Sequence, residues 1–257
     1  MTVAAGQFPL IGLQPVTNST AIGVEVATAT SGYVPLIPVG TIINVNDPYY
    51  GGLELIRLSI PTSTAVRVGS ISTLTATYGY VAVPNTTLLG QSLAISFSDI
   101  PSNATFVQYA WFVIAGRYVV NCTASVAADT AFGIAAAGQG GALAAGKAIL
   151  NARVQIAATT TIVKSGSTRS GSPILTVSNT DGWFVGGALS GTGIPASTSI
   201  GAISADGTQV SMVQTGTTTA QNATATGFVS ITQTNNDGTR FWNTATLDRP
   251  LAQGPIT

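Results

Sequence analysis

Scarcity of charge constrains this chain more than any other feature of it. Of 257 residues, nine are Lys or Arg, nine are Asp or Glu, and none is His. Charged side chains make up 7% of the sequence, against roughly a quarter in ordinary soluble domains. Most groups that carry acid–base, nucleophilic or metal chemistry are therefore missing. Thr, Ala, Gly, Ser and Val fill their place, among many turn signals. This is the composition of a β-rich structural protein more than of an enzyme.

The charge balance also limits partners. Formal net charge is zero and the isoelectric point is about 6.1. Basic residues are scattered singly from Arg57 to Arg249, so no basic face is expected to hold nucleic acid. Near-zero charge gives little protection against self-association. A mean hydropathy of +0.41 points the same way, because oligomer interfaces would absorb apolar surface. The length suggests one large or two ordinary domains, long enough to bury a core. The first residues carry no Lys or Arg and only a broken apolar run, so no secretory signal is expected. No window nears 18 uninterrupted apolar residues, so no membrane helix is expected. The longest apolar stretch, Phe106 to Gly116, contains Gln108 and suits a buried strand. Cys122 stands alone, which excludes an intrachain disulfide and fits synthesis in a reducing cytosol. The Asn-X-Ser/Thr sequons at Asn18, Asn85, Asn103, Asn121 and Asn222 read as chance in so Thr-rich a chain.

Period-two alternation dominates the pattern. Tyr118, Val120, Cys122, Ala124 and Val126 share one strand face, with Arg117, Asn121, Thr123 and Ser125 on the other. Cys122 then reads as a small inward hydrophobe. Ile56, Leu58 and Ile60 align similarly, as do Tyr109, Trp111 and Val113. Asp129 to Leu150 is Ala-rich, but five glycines interrupt it. Extended pieces are expected there, with at most one helical turn near Ala142 to Ile149.

The fold class expected is all-β. Residues 1–163 form the main domain, and 164–172 read as a flexible Gly/Ser linker. Residues 173–233 read as a small β-sandwich-like module with turns at Asp181-Gly182, Gly191 to Gly193 and Asp206-Gly207, and with strands over Ile174 to Ser178, Gly182 to Leu189, Ser199 to Ile203, Gln209 to Val213 and Thr226 to Thr232. Residues 234–257, with a turn at Asp237-Gly238, form a C-terminal strand returning to the main domain. The module is thus an insertion before the last strand.

Chemistry is hard to find. Without histidine, Cys122 or a serine would need a Lys or carboxylate partner, and G-x-S-x-G is absent. Asp181, Asp206 and Asp237 each precede a glycine, which is what a turn requires. Soft metal sites need Cys or His, and no spacing of acids suits calcium. Gly138 to Gly141 lacks the Gly-Lys-Ser/Thr ending of a phosphate loop. Trp111 reads as core. Trp183 and Trp242 follow Asp-Gly turns, which suggests partial exposure, but packing outweighs ligand stacking. No catalytic residue, cofactor, metal or small-molecule substrate is expected.

Two stretches carry a resemblance. The first runs Gly40-Thr-Ile-Ile-Asn-Val-Asn-Asp-Pro-Tyr-Tyr-Gly-Gly-Leu-Glu-Leu-Ile-Arg-Leu58, then Val68-Gly-Ser70, Tyr109-Ala-Trp-Phe-Val-Ile-Ala-Gly116, Val126-Ala-Ala-Asp-Thr130, Ala144-Ala-Gly-Lys147 and Leu247-Asp-Arg-Pro250. In this order the motifs resemble tailed-bacteriophage virion proteins close to head decoration (cement) proteins. The second, Gly191 to Ile200 with Ile203 to Val210 and Ala223 to Thr226, looks like a small β module of phage fibre, baseplate and capsid accessory proteins. The resemblance implies a β-barrel or β-tulip-like main domain on the capsid exterior, made in the host bacterial cytoplasm. It implies binding to the major capsid protein, shell stabilisation by bridging its subunits, and a homo-oligomer, trimer or dimer. Asp47, Tyr49, Tyr50 and Gly51 match the family turn and are the candidate shell or subunit contacts. Read from the residues alone, they form a turn with core aromatics. The competing reading is a tail fibre or baseplate protein that binds cell-surface glycan.

Overall fold

The computed structural model describes residues 24–253 except 30, 48–49, 83–90, 159–160, 181–182, 184, 205, 216, 218 and 235–240. The chain is all-β, with no helix among the described residues. It divides into two compact units, one within Leu10–Ala157 and Trp242–Thr257, the other within Ala158–Phe241.

The larger unit is an eleven-stranded sheet. Its strands are β1 (Glu25–Val26), β2 (Ile42–Asp47), β3 (Gly51–Ile60), β4 (Ile71–Leu74), β5 (Tyr80–Ala82), β6 (Leu93–Ser96), β7 (Gln108–Cys122), β8 (Phe132–Ala136), β9 (Gln139–Ala142) and β10 (Ile149–Ile156). The last strand of the chain, β17 (Phe241–Ala252), lies between β10 and β7. The fifteen-residue β7 is the spine, pairing with β1, β3, β6 and β9. Its alternation is not one-sided. Val119 and Asn121 are buried along with Tyr118, Val120 and Cys122. In β3, Leu55 and Arg57 are buried along with Ile56, Leu58 and Ile60. Strands covered on both faces lose the polar half of their pattern, which is why simple alternation under-reads them. One face carries Ile56, Leu58, Ile60, Ala110, Phe112 and Ile114 in a single apolar cluster.

Tight turns stitch the sheet. Gly69, in the Val68-Gly69-Ser70 turn, has φ +79, and an added Cβ would sit 2.8 Å from the Asn121 amide nitrogen. Its own carbonyl accepts that N–H at 2.9 Å. Only glycine meets both demands. The Ala-rich segment forms the β8–β9 hairpin and then a turn closed by Lys147 N–H to the Ala144 carbonyl at 3.1 Å. Where at most one helical turn was expected, near Ala142 to Ile149, the described residues form a β-turn with Gly146 at φ +70, consistent with the extended pieces expected around it.

The smaller unit comprises β11 (Thr161–Thr168), β12 (Ile174–Val177), β13 (Ala188–Ser190), β14 (Thr198–Ile203), β15 (Gln209–Gln214) and β16 (Gly227–Thr234). They close into a barrel in the order β11-β12-β15-β14-β13-β16. The closed barrel is therefore in the small unit, where a sandwich was expected. The larger unit, where a barrel or tulip was expected, holds the extended sheet. The barrel strands keep an apolar inside and a polar outside, as closure of a small sheet requires. Leu175, Val177, Trp183, Leu189, Ile200, Val210, Met212 and Ile231 fill the interior. The expected 164–172 linker is not a linker. Most of it is β11, paired along its length with β16, and the rest is the β11–β12 turn at Gly171. Its serines point outward. Gly166 is needed because a Cβ there would meet the Thr176 carbonyl at 2.4 Å. Packing, rather than flexibility, explains the composition. Of the strand expected over Gly182 to Leu189, Gly182 and Phe184 lie outside the described residues, Val185-Gly186 form a turn, and β13 begins at Ala188.

Candidate functional site

Asp47 closes β2 and is buried. Its Oδ1 accepts the Tyr50 N–H at 2.6 Å, a side-chain turn that aspartate forms readily. Tyr50 packs edge-on against Tyr118, with ring centroids 5.1 Å apart. Tyr118 stacks on Phe97 at 5.4 Å and donates its hydroxyl to the Phe97 carbonyl at 2.7 Å. Burial pushes the Tyr118 phenol well up, so it stays a neutral donor. Gly51 follows with φ +84 and open space around its Cβ position. Tyr49 lies outside the described residues. The structure thus brings Asp47, Tyr50 and Gly51 together as a turn that anchors core aromatics.

A second cluster was not foreseen in the sequence. Glu25, fully buried in β1, bonds Arg57 of β3 through Oε2 to Nη2 at 2.7 Å. Its Oε1 accepts the Tyr33 hydroxyl at 2.5 Å and the Leu36 N–H at 2.9 Å. The Arg57 guanidinium lies 5.3 Å from the Trp111 ring centroid, within cation–π range. Tyr33 stacks on Tyr109 at 6.0 Å. Burial pulls the Arg57 guanidinium down, and the neighbouring Glu25 pulls it back up. The hydrogen bond to Glu25 raises the Tyr33 phenol to about 12. The cluster pins the segment around Tyr33 and Leu36 to the sheet, with Val34 and Leu36 exposed. One sequence signal was available: Arg57 interrupts an almost continuous apolar strand, a position that tolerates charge only when it is paired.

The other charged groups in reach serve local structure. Asp99 Oδ1 accepts the Val68 N–H at 2.9 Å. Arg249 bonds Glu54 at 2.7 Å on the surface. Lys164 donates to Asn179 at 2.6 Å, and Arg153 donates to the Asp129 carbonyl. Asp206 binds the Ser204 and Thr208 hydroxyls and the Thr208 N–H inside its own turn. These bonds, led by that from Ser204, lower its carboxyl to about 2. Asp181 and Asp237 lie outside the described residues. Cys122 is buried, and burial raises its thiol to about 12, the opposite of an activated nucleophile. Trp111, Trp183 and Trp242 are all buried, the two later ones without the partial exposure their turns suggested. No group of three metal-ligating side chains comes together among the described residues. No described helix is long and apolar enough to cross a membrane.

What the surface does offer is apolar and hydroxyl area. Phe228 is 81% exposed, Val34 80% and Leu36 76%. No family model, curated protein or solved structure matches the chain.

Proposed function

We propose that this protein is a bacteriophage capsid decoration protein, which binds the outside of the head shell and stabilises it by bridging major capsid subunits. The observation that carries the reading is where the few charges go. Glu25, Arg57, Glu54, Asp99, Asp206 and Lys164 all bond within the chain itself. What faces outward is largely Ser, Thr and apolar side chains. Broad faces of that kind gain affinity from burial and depend little on salt. Repetition over a symmetric shell supplies avidity, so each contact can be weak. The motif order from Asp47 to Pro250 supports the same assignment.

The test is to add purified protein to expanded capsids lacking it, and to follow pelleting and thermal rupture. Saturable binding with raised rupture temperature supports the reading. No binding, together with immunogold labelling confined to the tail tip of intact virions, rejects it and favours host-surface recognition.

A further inference from the structure

A strand with one neighbour leaves half of its backbone N–H and C=O groups unpaired, a template for a strand from another chain. In the larger unit β2 is such a strand. Among the described strands it pairs with β3 alone. The register runs unbroken from Ile42 opposite Ile56 to Asp47 opposite Gly51. The Arg57 N–H donates to the Thr41 carbonyl at 2.9 Å, which fixes the phase of the ladder. Ile43 and Val45 therefore turn their backbone groups toward β3, while Ile42, Asn44 and Asn46 turn theirs away. Those three outward residues are exposed, and no described backbone group bonds to them.

The other margins of this sheet are blunted. β10 carries register shifts at Leu150/Ala152 and Val154/Ile156. Its Val154 also bonds the backbone of Asp129 and Thr130 on the side away from β17. The Ile134 N–H of β8 donates to the Lys147 carbonyl at 2.8 Å. β5 has three residues and β1 two. β2 has six residues and none of the usual protections: no bulge, no proline, no Lys or Arg.

An unpaired ladder is completed by an extended strand. No second unblunted edge exists among the described strands for β2 to join head to tail, so pairing between copies must be isologous, β2 with β2 about a two-fold axis. The sequence fits one axis, through Asn44. Ile42 then stands opposite Asn46 of the second copy, and every outward N–H and C=O of both strands is paired. Ile43 meets Val45 of the second copy at a non-hydrogen-bonded position, where side chains come closest and β-branched pairs stabilise. Asn44 meets its own copy, and a carboxamide both donates and accepts. An axis through Ile43 or Val45 would carry Asn46 or Ile42 past the end of the facing strand.

We infer that β2 joins β2 of a second copy in antiparallel register about Asn44, so that one sheet runs through both molecules. The contact lies in the larger unit alone and stands whether or not the chain decorates a capsid.

The experiment combines sedimentation velocity and amide exchange on the full chain, from about 1 µM to 1 mM. A shift from monomer to dimer is expected. With it, protection should rise at the Ile42, Asn44 and Asn46 amides, while Ile43 and Val45 stay protected throughout. Asn44→Lys sets like charges face to face across the axis and should weaken the dimer about tenfold or more, as should Asn44→Glu. An equimolar mixture of the two variants should re-associate, because each then faces its opposite. Asn44 is exposed, so both should fold, which circular dichroism checks. A wild type that stays monomeric throughout overturns the inference; if its β2 amides gain protection only on expanded capsids, the edge belongs to a strand of the shell instead. A dimer that Asn44→Lys leaves intact, or a mixture that fails to re-associate, also overturns it. So does protection of the Ile42, Asn44 and Asn46 amides in the monomer, which would assign the edge to the chain's own residues.

Discussion

In the larger unit Glu25 and Arg57 meet at the buried centre of the sheet. In the barrel no charge faces outward from β11, β12, β13, β15 or β16. The two units thus place scarce charge differently. The sheet has strands covered on both faces, so a polar side chain there must be buried, and a buried charge must be paired. The barrel has an inside and an outside on every strand, so its polar half can be satisfied by water and hydroxyls alone. The buried Glu25–Arg57 pair fixes a layer in place, whereas Arg67, Asp129, Arg169 and Asp248 face solvent. The contrast predicts that the two units respond very differently to loss of a single side chain.

The largest effect should come from the sheet. Arg57→Met leaves Glu25 buried without its cation. Breaking a buried pair from one side costs about 3–5 kcal/mol. Glu25→Leu combined with Arg57→Met should recover much of that loss, because the isosteric apolar pair no longer strands a charge. Urea denaturation of the single and double variants measures both. If Arg57→Met costs no more than a surface substitution, the buried pair does not organise the sheet.

This difference between units also decided what could be read from sequence. The barrel strands Ile174–Val177, Thr198–Ile203 and Gln209–Gln214 are nearly those expected from alternation and Asp-Gly or Gly-x-Gly turns. Local pattern suffices where each strand has one wet face. The fold class was legible for the same reason. The role of Lys164 to Ser172 was not, since Ser and Gly read as flexible until Gly166 is seen against the Thr176 carbonyl. Barrel closure depends on strand curvature and pairing across the chain, which local pattern does not encode. The Asp47–Tyr50 turn was legible as a turn from Asp and Gly flanking the aromatics. The Glu25–Arg57 pair joins residues 32 positions apart, and Glu25 lies in a two-residue strand with almost no pattern of its own. Nothing local reports such a meeting.

The comparison sharpens if damage stays local. Leu175→Ala in the barrel interior should cost about 2–4 kcal/mol through lost burial and the cavity left behind. Amide exchange should then rise across β11 to β16 while β3 and β7 keep their protection. Equal loss of protection in β7 would show that the units do not unfold separately.

A smaller effect should appear in alkali. The Tyr33 phenol is raised to about 12 from 10.0 by its hydrogen bond to Glu25. A group whose folded value is raised stabilises fully below its unfolded value and loses that contribution as pH rises through the folded one. The Tyr33 contact should therefore hold below about pH 10 and fail between about pH 10 and 12. Amide exchange at Leu36, whose N–H shares the same carboxylate, reports the release once the intrinsic pH dependence of exchange is divided out. Tyr33→Phe should remove the step between those limits. A step that persists in Tyr33→Phe would assign it to another group.

The smallest effect belongs to the barrel, at Asp206. Its carboxyl is lowered to about 2 from 3.8, chiefly by the Ser204 hydroxyl and then by Thr208. The sign is opposite to that of Tyr33. A depressed carboxyl stabilises above its unfolded value and loses that contribution as pH falls through the folded one. The window is thus from about pH 4 down to about pH 2. The side chain is exposed and its partners lie within two residues, so the effect should be confined to the turn around Gly207. Carboxyl NMR titration of wild type and Ser204→Ala tests it. Ser204→Ala should move the Asp206 midpoint upward toward 3.8 while leaving the barrel folded. An unchanged midpoint would mean that the hydroxyl does not hold the carboxylate. The barrel's one described carboxylate turn would then owe its shape to Gly207, at φ +68, rather than to charge, leaving this unit with still less dependence on charge than the sheet.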